Sequence, residues 1–171
     1  FKNTFKGQFV ITHVTYRLRK KPILHLEYGA IRAELERMNI SAPDPLSVAH
    51  AVMNIRRSKL PDPQQIGNAG SFFKNPEVSE GKFTDLKKQF PDIVGFALPG
   101  GNVKLAAGWL IEKCGWKGYR SGDAGCYESQ ALVLVNYGQA TGREILNLSE
   151  KIRKDVNDSF GVVLEPEVNI I

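Results

Sequence analysis

Ile66-Gly67-Asn68-Ala69-Gly70-Ser71-Phe72-Phe73-Lys74-Asn75-Pro76 is the stretch on which the reading of this chain turns. Two glycines and Ala69 predict a tight turn at Gly67 to Ser71, where backbone can approach a flat ligand closely. Ser71 stands on that turn, just ahead of two aromatics. Just upstream, Lys59-Leu60-Pro61-Asp62-Pro63 sets two prolines in three residues. That pattern stops a helix and forces extended backbone, so a domain boundary is expected there.

Working back from the prolines, Asp44-Pro45 reads as a helix start, with Asp as N-cap and Pro in the first turn. Leu46, Ala49, Val52 and Met53 give that helix its apolar face to about Arg57. Ile31, Leu35 and Met38 predict a helix over Ala30 to Met38. Alternation over Gln8 to Leu18 predicts a strand, and Ile23 to Leu26 a second short one. Working forward, helices are expected at about Ser79 to Gln89 and Val103 to Cys114, the latter closing at Gly115. Ala131 to Asn136 predicts a buried strand. Thr141-Gly142-Arg143-Glu144 is a capping box opening a helix that runs toward Gly161. A last strand is expected over Val162 to Ile171. Helices and strands mix without regular βαβ alternation, which predicts an α+β fold.

Composition narrows the function classes. The chain has 171 residues, 42% of them apolar and 24% charged, which suits a globular protein with a real core. A membrane span needs about 20 apolar residues, and the longest pure apolar run is Ala131 to Val135, so none is expected. Cys114 and Cys126 read as free thiols, not as a disulfide framework. The formal charge is +5, but Lys and Arg are dispersed among acids. That argues against nucleic acid and suits an anionic small molecule. P-loop, HExxH and GxSxG motifs are absent, and His13, His25 and His50 have no partner at metal spacing, so no metal site is expected. Trp109 and Trp116 are assigned to the core. Cys126 has no nearby His to activate it as a nucleophile.

Four segments together are more specific than any one motif. They are Arg56-Arg57-Ser58-Lys59-Leu60-Pro61-Asp62-Pro63, the Gly67 to Pro76 string, Lys104-Leu105-Ala106-Ala107-Gly108-Trp109-Leu110-Ile111, and Leu164-Glu165-Pro166-Glu167-Val168. Gln130 to Asn136 fits beside them. In this order they resemble the UDP-N-acetylenolpyruvoylglucosamine reductases, in the form with a substrate-loop tyrosine. The resemblance implies a cytoplasmic, monomeric flavoenzyme of peptidoglycan precursor synthesis. It would use FAD and NADPH to reduce the enolpyruvyl ether of a UDP-sugar to UDP-N-acetylmuramate.

The resemblance also implies residue roles. Ser71 matches the proton donor, and Glu167 the acid near the substrate carboxylate, where charge develops during reduction. From the residues alone, Glu165 and Glu167 stay open as alternatives, two apart on one strand. Arg56 matches a residue facing the flavin's pyrimidine edge. Tyr28, Lys59, Asn75, Lys117 and Gln130 match substrate contacts. Residues 1–60 would be the C-terminal part of the FAD-binding domain, 61–161 the substrate-binding domain, and 162–171 a strand returning toward the FAD-binding region.

Two departures stand out. Ser121-Gly122-Asp123-Ala124-Gly125-Cys126-Tyr127 differs from the family's usual Gly-Gly-Ala followed by a small or apolar stretch and His. The N-terminal region supplying most of the FAD site, and a Tyr-Arg pair, have no counterpart in this sequence. The chain is therefore expected to be the C-terminal part of a longer protein and inactive alone, with an incomplete FAD site. The alternative is a non-catalytic nucleotide-sugar-binding module using the same lysines.

Overall fold

The longest helix shows how directly local sequence sets structure here. Thr141 Oγ1 accepts from the Glu144 amide at 3.3 Å, and a Glu144 carboxylate oxygen accepts from the Thr141 amide at 2.7 Å. Two otherwise orphaned N–H groups are satisfied at once. The helix then runs Gly142–Phe160 and stops at Gly161, whose φ of 59° is left-handed. Leu148, Ile152, Val156 and Phe160 recur every fourth residue and are buried.

The computed structural model describes residues 5, 8–27 and 29–170. Two compact units are present, Phe1–Val52 and Met53–Ile171. The elements in chain order are α1 (Ile31–Arg37), α2 (Pro45–Lys59), β1 (Gly67–Ser71), β2 (Glu77–Ser79), α3 (Glu80–Gln89), β3 (Gly95–Ala97), β4 (Asn102–Leu105), α4 (Ala107–Lys113), β5 (Arg120–Ser121), β6 (Ala124–Tyr127), β7 (Gln130–Asn136) and α5 (Gly142–Phe160). The fold is α+β, as expected. Asp44 caps α2 by accepting from the Ser47 amide at 2.7 Å, and Pro45 takes the first helical position.

In the larger unit, β1-β7-β6-β5 form one antiparallel sheet and β2-β4-β3 a second. α4 and α5 pack on the first sheet and α3 on the second. The core contains the fully buried Phe73, Leu105, Leu110, Ile111, Ile152 and Leu164. Trp116 lies in that core and donates its ring N–H to Asp155 at 3.1 Å, while Trp109 packs against it beside Phe90 and Phe160.

Several expected elements differ. Gln8 to Leu18 and Ile23 to Leu26 form no strand among the described residues, and Val10, Tyr16 and Leu18 are exposed. Alternation marks a chain able to pair, but a ladder also needs a neighbour for its N–H and C=O groups. Gly67 to Ser71 is strand β1, not a turn. Asn68 and Gly70 give it a bulge: the Asn68 carboxamide oxygen accepts from the Gly70 amide at 3.0 Å, and Gly70 has φ 72°. Val103 to Leu105 is not helix but lies in β4, the central strand of its sheet, and the helix begins at Ala107. Residues 162–170 form no strand but run irregularly, with one bridge from Pro166 to Phe73.

Candidate functional site

Phe72 is the backbone junction of the site. Its amide donates to the Leu132 carbonyl of β7 at 2.9 Å, and its carbonyl accepts from the Glu167 amide at 2.8 Å. The main chain thereby brings Glu167, in the C-terminal segment, to the residue that follows Ser71 at the end of β1. Phe72 and Phe73 are buried, so this backbone is anchored in the core, while Ser71 and Glu167 are exposed.

The same bridge separates the two glutamates. Around the Phe73 to Pro166 bridge, Lys74 stands opposite Glu165, and its Nζ lies 3.0 Å from that carboxylate. Glu165 is therefore engaged by a cation. The Glu167 carboxylate makes no ion pair or hydrogen bond among the described residues, nor does the Ser71 hydroxyl.

Asn75 and Gln130 converge on the first turn of α4. Ala106, the N-cap of that helix, has no side-chain acceptor, and the Asn75 carboxamide oxygen accepts from the Ala107 amide at 3.0 Å. A Cβ built on Gly108 would lie 2.9 Å from the Gln130 Oε1 atom. Gly108 thus leaves room for the Gln130 amide against the helix. Neither the capping by Asn75 nor the role of Gly108 is visible in sequence, because each depends on residues distant along the chain.

Lys117 is exposed and pairs with Glu112 at 2.9 Å. Its neighbour Gly118 faces Glu128 in the turn between β6 and β7, which leads into Gln130. Lys59 ends α2 and is exposed. Tyr28 lies outside the described residues.

Arg56 opens onto a separate cleft of about 560 Å³ with Arg57, Asp62, Gln65 and Tyr127. Neither guanidinium has an ion-pair partner among the described residues. Tyr127 stands opposite Gln130 in the β6–β7 pairing, so cleft and Gln130 share one sheet end. Arg57, Gln65 and Tyr127 carried no signal for this cleft in sequence; Tyr127 appeared only as a departure. Burial pushes the Cys126 thiol up to about 12, which leaves it protonated and unreactive at neutral pH. Among the described residues no cluster of His, Cys, Asp and Glu could hold a metal ion, and no helix is long and apolar enough to cross a membrane.

Comparison with known proteins adds an independent line. Residues 62–171 match the family model described as UDP-N-acetylenolpyruvoylglucosamine reductase, C-terminal domain. A protein of that name from Pseudomonas syringae is 51% identical over 164 residues, covering 96% of this chain and 48% of the relative. One from Flavobacterium johnsoniae is 51% identical over 172 residues, covering 100% and 51%. One from Porphyromonas gingivalis is 52% identical over 171 residues, covering 100% and 50%. The chain spans about half the length of these curated relatives. With the motifs in family order and the α+β fold, this match shows that the chain belongs to the UDP-N-acetylenolpyruvoylglucosamine reductase family.

Proposed function

We propose that this chain works as the C-terminal half of a UDP-N-acetylenolpyruvoylglucosamine reductase, forming UDP-N-acetylmuramate for peptidoglycan precursor synthesis in the cytoplasm. The observation that carries the reading is the main-chain bond from the Glu167 amide to Phe72, the residue after Ser71, with Glu165 engaged by Lys74. When bound, FAD supplies the hydride, which it has taken from NADPH.

The chain's own groups do the rest. Reduction places negative charge on the carboxylate of the enolpyruvyl ether. Glu167, in its acid form, donates to that developing charge, and Ser71 delivers a proton to the adjacent carbon. Asn75, Gln130, Lys59 and Lys117 hold the UDP-sugar, the lysines meeting its diphosphate, and the loop at Tyr28 closes over it.

The Arg56 cleft fits part of a flavin. Two guanidiniums outweigh the one carboxylate of Asp62, which accepts from the Gln64 amide, and with a carboxamide and a phenol they suit the oxygen-rich edge of a planar heterocycle. Arg56, with Arg57 beside it, would hold that edge. Residues 1–60 belong to the FAD-binding domain on this reading and 61–161 to the substrate domain, with 162–171 returning toward the flavin. The rest of the FAD site comes from the half of the relatives that this chain does not span, and alone the chain is inactive.

The test is Ser71→Ala in the complete reductase. Enolpyruvyl reduction should slow by about 10²–10⁴-fold, the range for a lost general acid, while flavin reduction by NADPH survives. Equal loss in both half-reactions would make Ser71 structural. A protein that binds UDP-sugar but takes up no flavin, even with the N-terminal half restored, would be a binding module instead.

A further inference from the structure

The segment that carries Glu167 has little regular structure of its own. After Gly161 the chain leaves α5, buries Val162 and Leu164, and exposes Val163 and Glu165. Two backbone bonds tie it to the end of β1: the Lys74 amide donates to the Glu165 carbonyl at 2.9 Å, and the Glu167 amide to the Phe72 carbonyl at 2.8 Å. Val162 and Leu164 anchor the start of the segment in the core, but for Glu165 to Glu167 a single bridge fixes neither tilt nor register.

The other side is held by Arg153. From the fourth turn of α5 its Nε donates to the Leu164 carbonyl at 2.9 Å, while its Nη1 reaches both Glu150 oxygens, at 2.7 and 3.0 Å. Glu150 lies one turn earlier on α5 and aims the guanidinium. The Arg153 side chain is 31% exposed, well below the 52% and 70% of the Lys74–Glu165 pair. A charge-assisted bond to a carbonyl, partly withdrawn from water, outweighs an exposed ion pair.

We propose that Arg153 is a positioning residue: by holding the Leu164 carbonyl it fixes the segment that brings Glu167 to the residue after Ser71. This rests on the reading of Ser71 and Glu167 as the reacting pair. Arg153 makes no hydrogen bond or ion pair with either residue. It acts through three residues of backbone, from Leu164 to Glu167, pinned between α5 and the end of β1.

The test has two readouts. In this chain, Arg153→Ala should speed amide exchange at Glu167 by about tenfold while the amides of Val133 and Ile152 keep their protection. In the complete reductase it should slow enolpyruvyl reduction by about tenfold and leave flavin reduction by NADPH unchanged. Arg153→Lys, which keeps a cationic donor, should recover most of both effects. Unchanged exchange at Glu167 overturns the proposal, as does equal loss in the two half-reactions. Glu167→Ala, which removes the donor that Glu167→Gln would keep, tells the failures apart. If it is slow and Arg153→Ala is not, the clamp is wrong and the catalytic reading stands. If Glu167→Ala is itself as fast as the parent, the catalytic reading falls, and with it the purpose of the clamp.

Discussion

α4 and α5 pack on the same sheet but begin in opposite ways. The start of α5 is sealed from within, by Thr141 and Glu144 three residues apart. The start of α4 is sealed from outside, by Asn75, 32 residues upstream. Both devices satisfy orphaned N–H groups. A local cap only stabilises its helix, whereas a distant cap also fixes the residue that provides it. Asn75 is held in place by the helix it caps, and Gln130 rests against the same turn at Gly108. The first turn of α4 therefore acts as a frame for two candidate substrate contacts.

The largest effect that separates the two starts is expected at Asn75. Asn75→Asp keeps the oxygen that accepts from Ala107, and a carboxylate at a helix N-terminus is favourable. Stability should hold. UDP-sugar affinity should fall by about tenfold or more, because the amide donor is lost and a negative charge meets a diphosphate. Asn75→Ala should lose both affinity and about 1 kcal/mol of stability, as for a removed cap. Calorimetry with thermal unfolding on each variant reads the two separately. Unchanged affinity in both would leave Asn75 as a cap and nothing more.

Thr141→Ala is the matched control at α5. It should cost about 1 kcal/mol and leave UDP-sugar affinity unchanged. Its pH signature is specific. Hydrogen bonds from the Thr141 amide and hydroxyl hold the Glu144 carboxyl below the usual glutamate range. A folded-state value below the unfolded one gives a contribution that is complete above the unfolded value. That contribution is lost as pH falls through the folded one. Stability of the parent should therefore drop through that acid window, and Thr141→Ala, which keeps the amide bond and loses the hydroxyl, should flatten the drop in part. Equal slopes would mean that the hydroxyl does not couple the box to folding.

The same contrast explains what sequence could and could not reveal. The α5 capping box, the Asp44-Pro45 start of α2 and the Gly161 stop are local signals, and each stands where its residues predicted it. Val103 to Leu105 has helical spacing that runs on into α4, yet β2 and β3 claim it from either side. Residues 8–18 alternate as a strand does but form none among the described residues, because alternation supplies a face and not a neighbour. At the candidate site, resemblance singled out Ser71 and Glu167. The reason Glu167 differs from Glu165 lies in Lys74, 91 residues away along the chain. Arg57 and Tyr127 share a cleft that only the folded chain assembles.

Gly108→Ala should have the smallest effect on stability and the sharpest meaning. Alanine is the better helix former by about 1 kcal/mol, and the backbone at Gly108 needs no left-handed φ. Its Cβ would meet the Gln130 Oε1 atom, the far end of a flexible side chain, with Leu132 Cβ at an ordinary 3.8 Å. The amide should swing away without disturbing the fold, so net stability should move by no more than about 1 kcal/mol. UDP-sugar affinity should fall nonetheless, because Gln130 no longer rests where the frame holds it. Combining Gly108→Ala with Gln130→Ala decides the point. If the glycine acts only by seating Gln130, it should cost nothing further once that side chain is gone. A full, additive loss in the double variant would mean that Gly108 touches the ligand itself.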